Sequence, residues 1–343
     1  MKNRFTRIPA LAALVALVLI GPFAGLSRAG DIHEAAKAAD LERIAEILDR
    51  TPREVNSVTI SGMTPDGYRM SPLHWAARMG HLDVAQLLLE RGADPQARTS
   101  RGMTPLHMAA LRGNASMTGF LLEHGSKATA TDSFDATPLH LAAVHGSAPT
   151  IAVLLRHGAD PDAPGSHGAT PLIEAVRQGH AGAVFLLASA GADLTRADDA
   201  GETALHAAVQ CRQPVMLRFL LSAGVPVSAA TRTGRTALHL AAQDPWPEGA
   251  ELLLAAGAPP DPTDPEGNTP LLLAGRKIYW ELSLSRTRSR DWIDTFDRML
   301  TLFVRHGADT ERAARDGTTI GTLAAFIVGT PRFERLIRDA KRR

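Results

Sequence analysis

An all-α repeat solenoid of stacked helix-turn-helix units is the fold class this sequence predicts, and three observations predict it. A tetrapeptide of the form S/T-P/A-L-H/I/L begins at Ser71, Thr104, Thr137, Thr170, Thr203, Thr236 and Thr269, an even step of 33 residues. Within each step, apolar residues twice take helical spacing, with glycine as the break. Aromatic residues make up only 5% of a chain that is 45% apolar, and alanine is abundant, which suits thin, closely packed helices. Equal spacing over so many copies marks like units that each bury an apolar face on the next. Such a fold predicts a binding surface and no reaction.

The N-terminus is a separate object. Lys2, Arg4 and Arg7 precede an uncharged apolar run from Ile8 to Ile20, Pro22 interrupts it, and Ser27-Arg28-Ala29 places small residues around a cut. This is the layout of a secretory signal peptide over residues 1–29, with cleavage expected after Ala29. An uncleaved anchor to the inner membrane, facing the periplasm, stays open, because Ile8 to Leu26 is just long enough to span a bilayer. Either way the positive flank stays inside, so the rest of the chain is expected in the periplasm or secreted. Scarce lysine beside arginine fits a bacterial source. The chain has 37 basic and 36 acidic residues; without Lys2, Arg4, Arg7 and Arg28 the count is 33 against 36, a net of −3. That near-neutral body has no general pull toward nucleic acid or anionic lipid. No later apolar run is long enough for a membrane span. Cys211 is the sole cysteine, which excludes an internal disulfide framework.

Residues 30–70 read as an N-terminal cap repeat, from Ile32-His33-Glu34-Ala35-Ala36 through Ile44 and Leu48. Its spacing to Ser71 is stretched, and Thr64-Pro65-Asp66-Gly67 predicts an enlarged first finger. Six regular repeats follow, at 71–103, 104–136, 137–169, 170–202, 203–235 and 236–268. In the second of these Thr104 is a natural N-cap and Pro105 fits the first helical turn. Leu106, Ala109 and Ala110 line one face, Gly113 breaks the helix, and Met117, Phe120, Leu121 and Leu122 build a second one that ends at Gly125. In the sixth, Asp244-Pro245-Trp246-Pro247 replaces the glycine turn, which predicts a shortened second helix. The repeat at 269–318 carries an insertion at about 278–296, since Gly307-Ala308-Asp309 arrives 17 residues late. Two lengthened helices joined by a Ser283–Arg290 turn, projecting from the array, are expected there. Trp246, Trp280 and Trp292 form either a satellite hydrophobic cluster or a docking patch. Residues 319–343 read as a C-terminal cap with a charged outer face of Arg335, Arg338, Asp339, Lys341, Arg342 and Arg343.

The stretch Ser71-Pro72-Leu73-His74-Trp75-Ala76-Ala77-Arg78-Met79-Gly80-His81 through Leu87-Leu88-Leu89-Glu90-Arg91-Gly92-Ala93-Asp94 closely resembles the ankyrin repeat. The resemblance covers about residues 31–335. It implies β-hairpin fingers between units, a curved array, and a scaffold that binds a protein partner along its concave side; a non-enzymatic monomer is expected. It also implies that His33, His74, His107, His140, His206 and His239 bond the cap threonine and loop backbone. Carried onto this chain, finger tips and first-helix ends make Trp75, Arg78, Met79, Arg101, Met103, Arg112, Phe134, His145, Arg177, Arg232 and Arg235 the candidate protein-binding residues. Arginine, methionine and aromatic side chains in places the scaffold leaves free are typical interface anchors. Two narrower roles stay open among exported members: helper of a periplasmic catalase in peroxide protection, and immunity or inhibitor protein against a periplasmic toxin. An enzyme on a solenoid scaffold is the remote alternative.

Thirteen histidines invite a metal reading, but their spacing is that of the scaffold. Six share the fourth place of the unit. His124, His157 and His306 precede a terminal glycine, where a polar ring suits the last helical turn. His81 and His180 follow the inter-helix glycine, and only His145 and His167 lack a scaffold explanation. No metal or cofactor is expected. Cys211 stands beside Arg212 without a catalytic partner. The recurring Asp94, Asp160, Asp193 and Asp309 have the placement of turn residues. No phosphate-binding loop, H-E-x-x-H, G-x-S-x-G or C-x-x-C occurs.

Overall fold

The computed structural model describes residues 32–58, 69–284 and 290–342. The predicted signal peptide, the Thr64–Gly67 turn, residues 285–289 and Arg343 lie outside the described residues. Eighteen α-helices are present among the described residues, in two compact units, Met1–Asp193 and Leu194–Arg343.

In the first unit the first helices of successive repeats are α1 (Ile32–Ala38), α3 (Pro72–Met79), α5 (Pro105–Leu111), α7 (Pro138–His145) and α9 (Pro171–Gln178). Their second helices are α2 (Leu41–Arg50), α4 (Leu82–Glu90), α6 (Ala115–Glu123), α8 (Ala148–Arg156) and α10 (Ala181–Ser189). Each first helix packs on the first helix of the next repeat, and second helices form a parallel layer. The second unit repeats this plan. Its first helices are α11 (Ala204–Gln210), α13 (Ala237–Gln243), α15 (Pro270–Leu284) and α17 (Ile320–Ile327). Its second helices are α12 (Pro214–Ser222), α14 (Pro247–Ala255), α16 (Arg290–Arg305) and α18 (Thr330–Lys341). No described helix is long and apolar enough to cross a membrane.

Most of these helices span only two or three turns, too few to be stable in isolation, so the shared core must hold them. The leucine of the tetrapeptide supplies much of it. Leu73, Leu106, Leu139, Leu172, Leu205 and Leu238 are all at most 1% exposed, and each such burial is worth about 2–3 kcal/mol. Ser71, Thr104, Thr137, Thr203 and Thr236 take extended backbone angles and close capping boxes with the histidine three places on.

The fingers differ from the expected β-hairpins. Among the described residues there is no strand, only the bridges Ala197↔Thr203 and Ala230↔Thr236. Each finger is a five-residue loop closed by one backbone bond, such as Thr99 N to Met103 O at 2.9 Å or Asp132 N to Ala136 O at 3.0 Å. So short a loop leaves no room for a ladder. A left-handed residue turns it, Gly102 at φ 74° in one finger and, in another, Asp135 at φ 59°.

The shortened helix at Pro245-Trp246-Pro247 is also corrected. α14 spans nine residues, the same as α12, with Pro247 in its first turn. The missing N–H of proline has no intrahelical partner there and costs nothing. The lengthened pair is as expected, α15 having 15 residues and α16 having 16. Arg276 on α15 grips Asp316 through two bonds of 2.8 and 2.7 Å. In the C-terminal cap Arg335, Arg338, Asp339, Lys341 and Arg342 are exposed.

Candidate functional site

The polar residues common to the repeats are occupied by the scaffold. In α3, α5, α7 and α13 the cap N–H donates to the histidine Nδ1, at 3.1–3.2 Å. Because Nδ1 accepts, the ring proton sits on Nε2 and donates across to the next repeat. The acceptors are the carbonyls of Met103, Ala136, Ala169 and Asn268, at 2.9, 3.0, 3.0 and 3.2 Å from His74, His107, His140 and His239. His206 makes the same cap bonds, and His33 reaches the Ser57 carbonyl at 3.0 Å. Burial pushes His74, His107 and His140 down to about 4, against carbonyl bonds that favour the charged form. These rings are therefore neutral ties between repeats.

Other recurring residues are fixed in the same way. His124, His157 and His306 bond the carbonyl one turn back, at 2.8–2.9 Å. Asp94, Asp160 and Asp309 accept the N–H two residues on, at 2.8–2.9 Å. His145 gains a scaffold role that its position in the repeat did not reveal. Its ring fills the space left by the missing side chain of Gly113, where a Cβ would sit 2.4 Å from its Cδ2. His167 is exposed on a finger at φ 55°. Among the described residues no group of three or more His, Cys, Asp or Glu is placed to hold a metal ion.

The structure sorts the candidate binding residues. Trp75 and Met103 are 3% and 1% exposed and Arg78 is 4% exposed, so their expected accessibility is corrected. Lys37, from the preceding repeat, and Arg78 both lie on the Trp75 ring, at 5.3 and 5.5 Å from its centre, and this cation–π stack closes the surface over it. Arg177 is half-buried and holds Glu174 at 3.3 Å. Glu174 is itself buried at the place where other repeats have Trp75, Met108 and Leu141, and that substitution for an apolar residue was the signal in the sequence for the pair. Arg235 bonds Gln243 Oε1 at 2.7 Å and lies 3.6 Å from Asp264. What remains at the surface of the first unit is Met79, at 42% exposure, exposed Arg112, and half-buried Arg101, Phe134 and His145. In the second unit Arg232 is exposed.

Neighbouring fingers are joined by backbone, Ser133 N to Arg101 O at 2.9 Å in the first unit and Arg232 N to Ala200 O at 2.8 Å in the second. Each of these bonds ties two neighbouring fingers together directly.

Family models for ankyrin repeats match residues 32–99, 73–165, 106–198 and 162–231 as sets of three copies, and residues 233–265 as a single repeat. The chain belongs to the ankyrin-repeat family. It is 37% identical over 87 residues to the E3 ubiquitin-protein ligase XBAT32 of Arabidopsis thaliana, which is 25% of this chain and 16% of that protein. Over 71 residues it is 35% identical to a transient receptor potential cation channel subfamily A member 1 homolog of Caenorhabditis elegans, 21% of this chain and 5% of that one. The matched segment is thus less than a fifth of either relative. The ankyrin repeat domain of human ASB11 superposes with a TM-score of 0.55 at 30% identity, covering 60% of this chain and 92% of that domain. That of Bcl-3, a member of the IkappaB protein family, gives 0.55 at 28% identity, with 66% and 97% covered.

The second unit of this ankyrin chain has a different surface. The three tryptophans differ in exposure: Trp246 is buried, Trp292 is half-buried and Trp280 is 57% exposed. Trp280 stands with exposed Leu284 and with Tyr279, whose ring lies 4.6 Å from that of Phe326. Between α14 and α16 a recess of about 320 Å³ is bordered by Glu251, Asp297, Arg298 and Arg305. Its charged rim is unlike the mostly apolar lining of a small-molecule pocket, and Asp297 is already engaged by Arg332.

Proposed function

We propose that this protein is an exported, non-catalytic scaffold that binds a protein partner through its finger tips and first-helix ends. One observation carries the reading. The polar residues that recur from repeat to repeat are held by bonds within the scaffold, as in the chain from Thr104 through His107 to the Ala136 carbonyl. Met79, Arg101, Arg112 and Phe134 differ from repeat to repeat and keep surface in contact with solvent. Arginine, methionine and aromatic side chains are the types that protein interfaces use as anchors. The mature chain is proposed to begin at Gly30 and to work in the periplasm or outside the cell.

The test is recovery of bound protein from a periplasmic extract, using the full mature chain and a variant with Met79, Arg112 and Phe134 all changed to serine. The wild type is expected to retain a partner that the variant loses, with Tm changed by no more than about 2 °C, since the three side chains lie outside the core. Equal recovery by both proteins overturns the binding face. Intact-mass measurement on the exported protein checks the cut after Ala29, and a chain that keeps residues 1–29 in the membrane fraction indicates the anchored alternative.

A further inference from the structure

We propose that the recess between α14 and α16 in the second unit binds a small zwitterion with two anionic groups and one ammonium group, of the acidic amino-acid or acidic-dipeptide class. The site is built from second helices, so it stands independently of the finger-tip reading. Its charges come from two sides. Glu251 lines it from α14, and Arg298 and Arg305 line it from α16. All three residues are exposed.

Three other pairs of neighbouring second helices are bridged by a direct ion pair. Arg91 at the end of α4 meets Asp49 on α2 at 2.8 Å, Arg218 on α12 meets Glu248 on α14 at 3.3 Å, and Arg332 on α18 holds Asp297 on α16. Between α14 and α16 the opposite charges stay apart. Glu251, Arg298 and Arg305 make no ion pair or hydrogen bond among the described residues. The acids nearest them on α16 are already engaged, Asp297 by Arg332 and Asp294, one turn before Arg298, by Arg290 at 3.9 Å. A carboxylate and two guanidinium groups thus face a space of about 320 Å³ without meeting across it. A ligand that carries the complementary charges can bridge them.

The helix geometry specifies the ligand further. Arg298, Thr301 and Arg305 stand at i, i+3 and i+7 and share one face of α16. The two arginines are about 10 Å apart along the helix axis, each on a long stem. Each guanidinium fork can therefore take its own carboxylate, with the half-buried Thr301 hydroxyl between them. Across the recess Glu251 is placed to receive an ammonium group, and Leu302 and Pro247 give apolar wall to the methylenes that link the charged ends. A ligand with one carboxylate leaves one arginine idle. One without an ammonium group sets its own negative charge against Glu251. The volume is at the low end of ligand sites, which run from about 300 to 1,000 Å³, and this admits an amino acid or a dipeptide. Selection here is by charge, in place of the apolar burial that most such sites use.

The test is ligand-observed NMR titration of the full mature chain with four probes: glutamate, glutamyl-glutamate, glutamine and N-acetylglutamate. Glutamate or glutamyl-glutamate is expected to bind with a Kd of about 1 mM, as exposed charge contacts allow, and to weaken as salt rises. Glutamine lacks the second carboxylate and N-acetylglutamate lacks the ammonium group, and each is expected to bind at least about fivefold more weakly than glutamate. Arg298→Ser/Arg305→Ser is expected to cost about tenfold in affinity. The control Arg335→Ser/Arg338→Ser, on the exposed face of α18, is expected to change nothing. Glu251→Gln is expected to bring N-acetylglutamate level with glutamate, a change of preference that loss of structure would not produce. Thermal melting of each variant reports whether folding is intact. Binding of glutamine or N-acetylglutamate as tight as that of glutamate overturns the proposal. So does no response to the Arg298/Arg305 change, an equal loss in the α18 control, an unchanged preference in Glu251→Gln, or no binding of glutamate and glutamyl-glutamate at about 10 mM. Each of these results leaves the finger-tip face to its own test.

Discussion

His74, His107 and His140 are held neutral near pH 7 by burial, with folded-state pKa values of about 4 against 6.5 for an exposed imidazole. Between those values the unfolded chain binds more protons than the folded one. Stability is therefore level above about pH 6.5 and falls as the pH drops toward 4, by about 3 kcal/mol per histidine. Repeat 170–202 has Ile173 at this place and is capped by Thr170 alone, so His107→Ile should fold. It is expected to cost about 1–3 kcal/mol at neutral pH, because the Thr104 N–H and Ala136 carbonyl lose their partner, and to remove one proton from the acid-side slope. Urea titrations at pH 7 and pH 5 check both. That histidine's position and partners were legible in the sequence, because the repeat presents the same contact many times over. The burial of Trp75, Arg78 and Met103 was not. Trp75 is covered partly by Lys37, a residue of the preceding cap, and no property of its own repeat encodes that cover.

The second helices carry a contrast in what glycine does. Gly182 lies in the first turn of α10 with no atom within 4 Å of where a Cβ would stand, whereas a Cβ on Gly249 of α14 would meet the Trp246 ring at 2.0 Å. Gly182→Ala is expected to raise stability by about 0.5–1 kcal/mol through helix propensity and lost unfolded-state freedom. Gly249→Ala is expected to lower it despite the same propensity gain, because Trp246 must leave its buried position. Thermal melting of the two variants side by side checks the signs. The same helix explains why the proline pair misleads a sequence reading. Two prolines in place of the glycine turn predict a shortened second helix, but Pro247 stands in the first helical turn, the one place where proline is harmless. Periodicity located each element, and the tight packing of its ends fixed where it starts.

In each unit, stability is shared between neighbours, since every first helix has its core completed by the next. Leu139 on α7 is fully buried, and α7 packs against both α5 and α9. Leu139→Ala is expected to cost about 3 kcal/mol and to speed amide exchange in α5 and α9 as well as in α7. An effect confined to α7, read by hydrogen-exchange mass spectrometry, would contradict the shared core. At this scale the sequence by itself determined the helical pairs, their step of 33 residues, the capping histidines and the lengthened seventh repeat. These are local patterns of propensity and apolar spacing, and repetition amplifies them. Tertiary structure alone decided which of the varying side chains stay in contact with solvent. That depends on what the neighbouring repeat lays over each residue, as Lys37 lies on Trp75 and Thr131 holds Arg98, and such contacts join residues about one repeat apart.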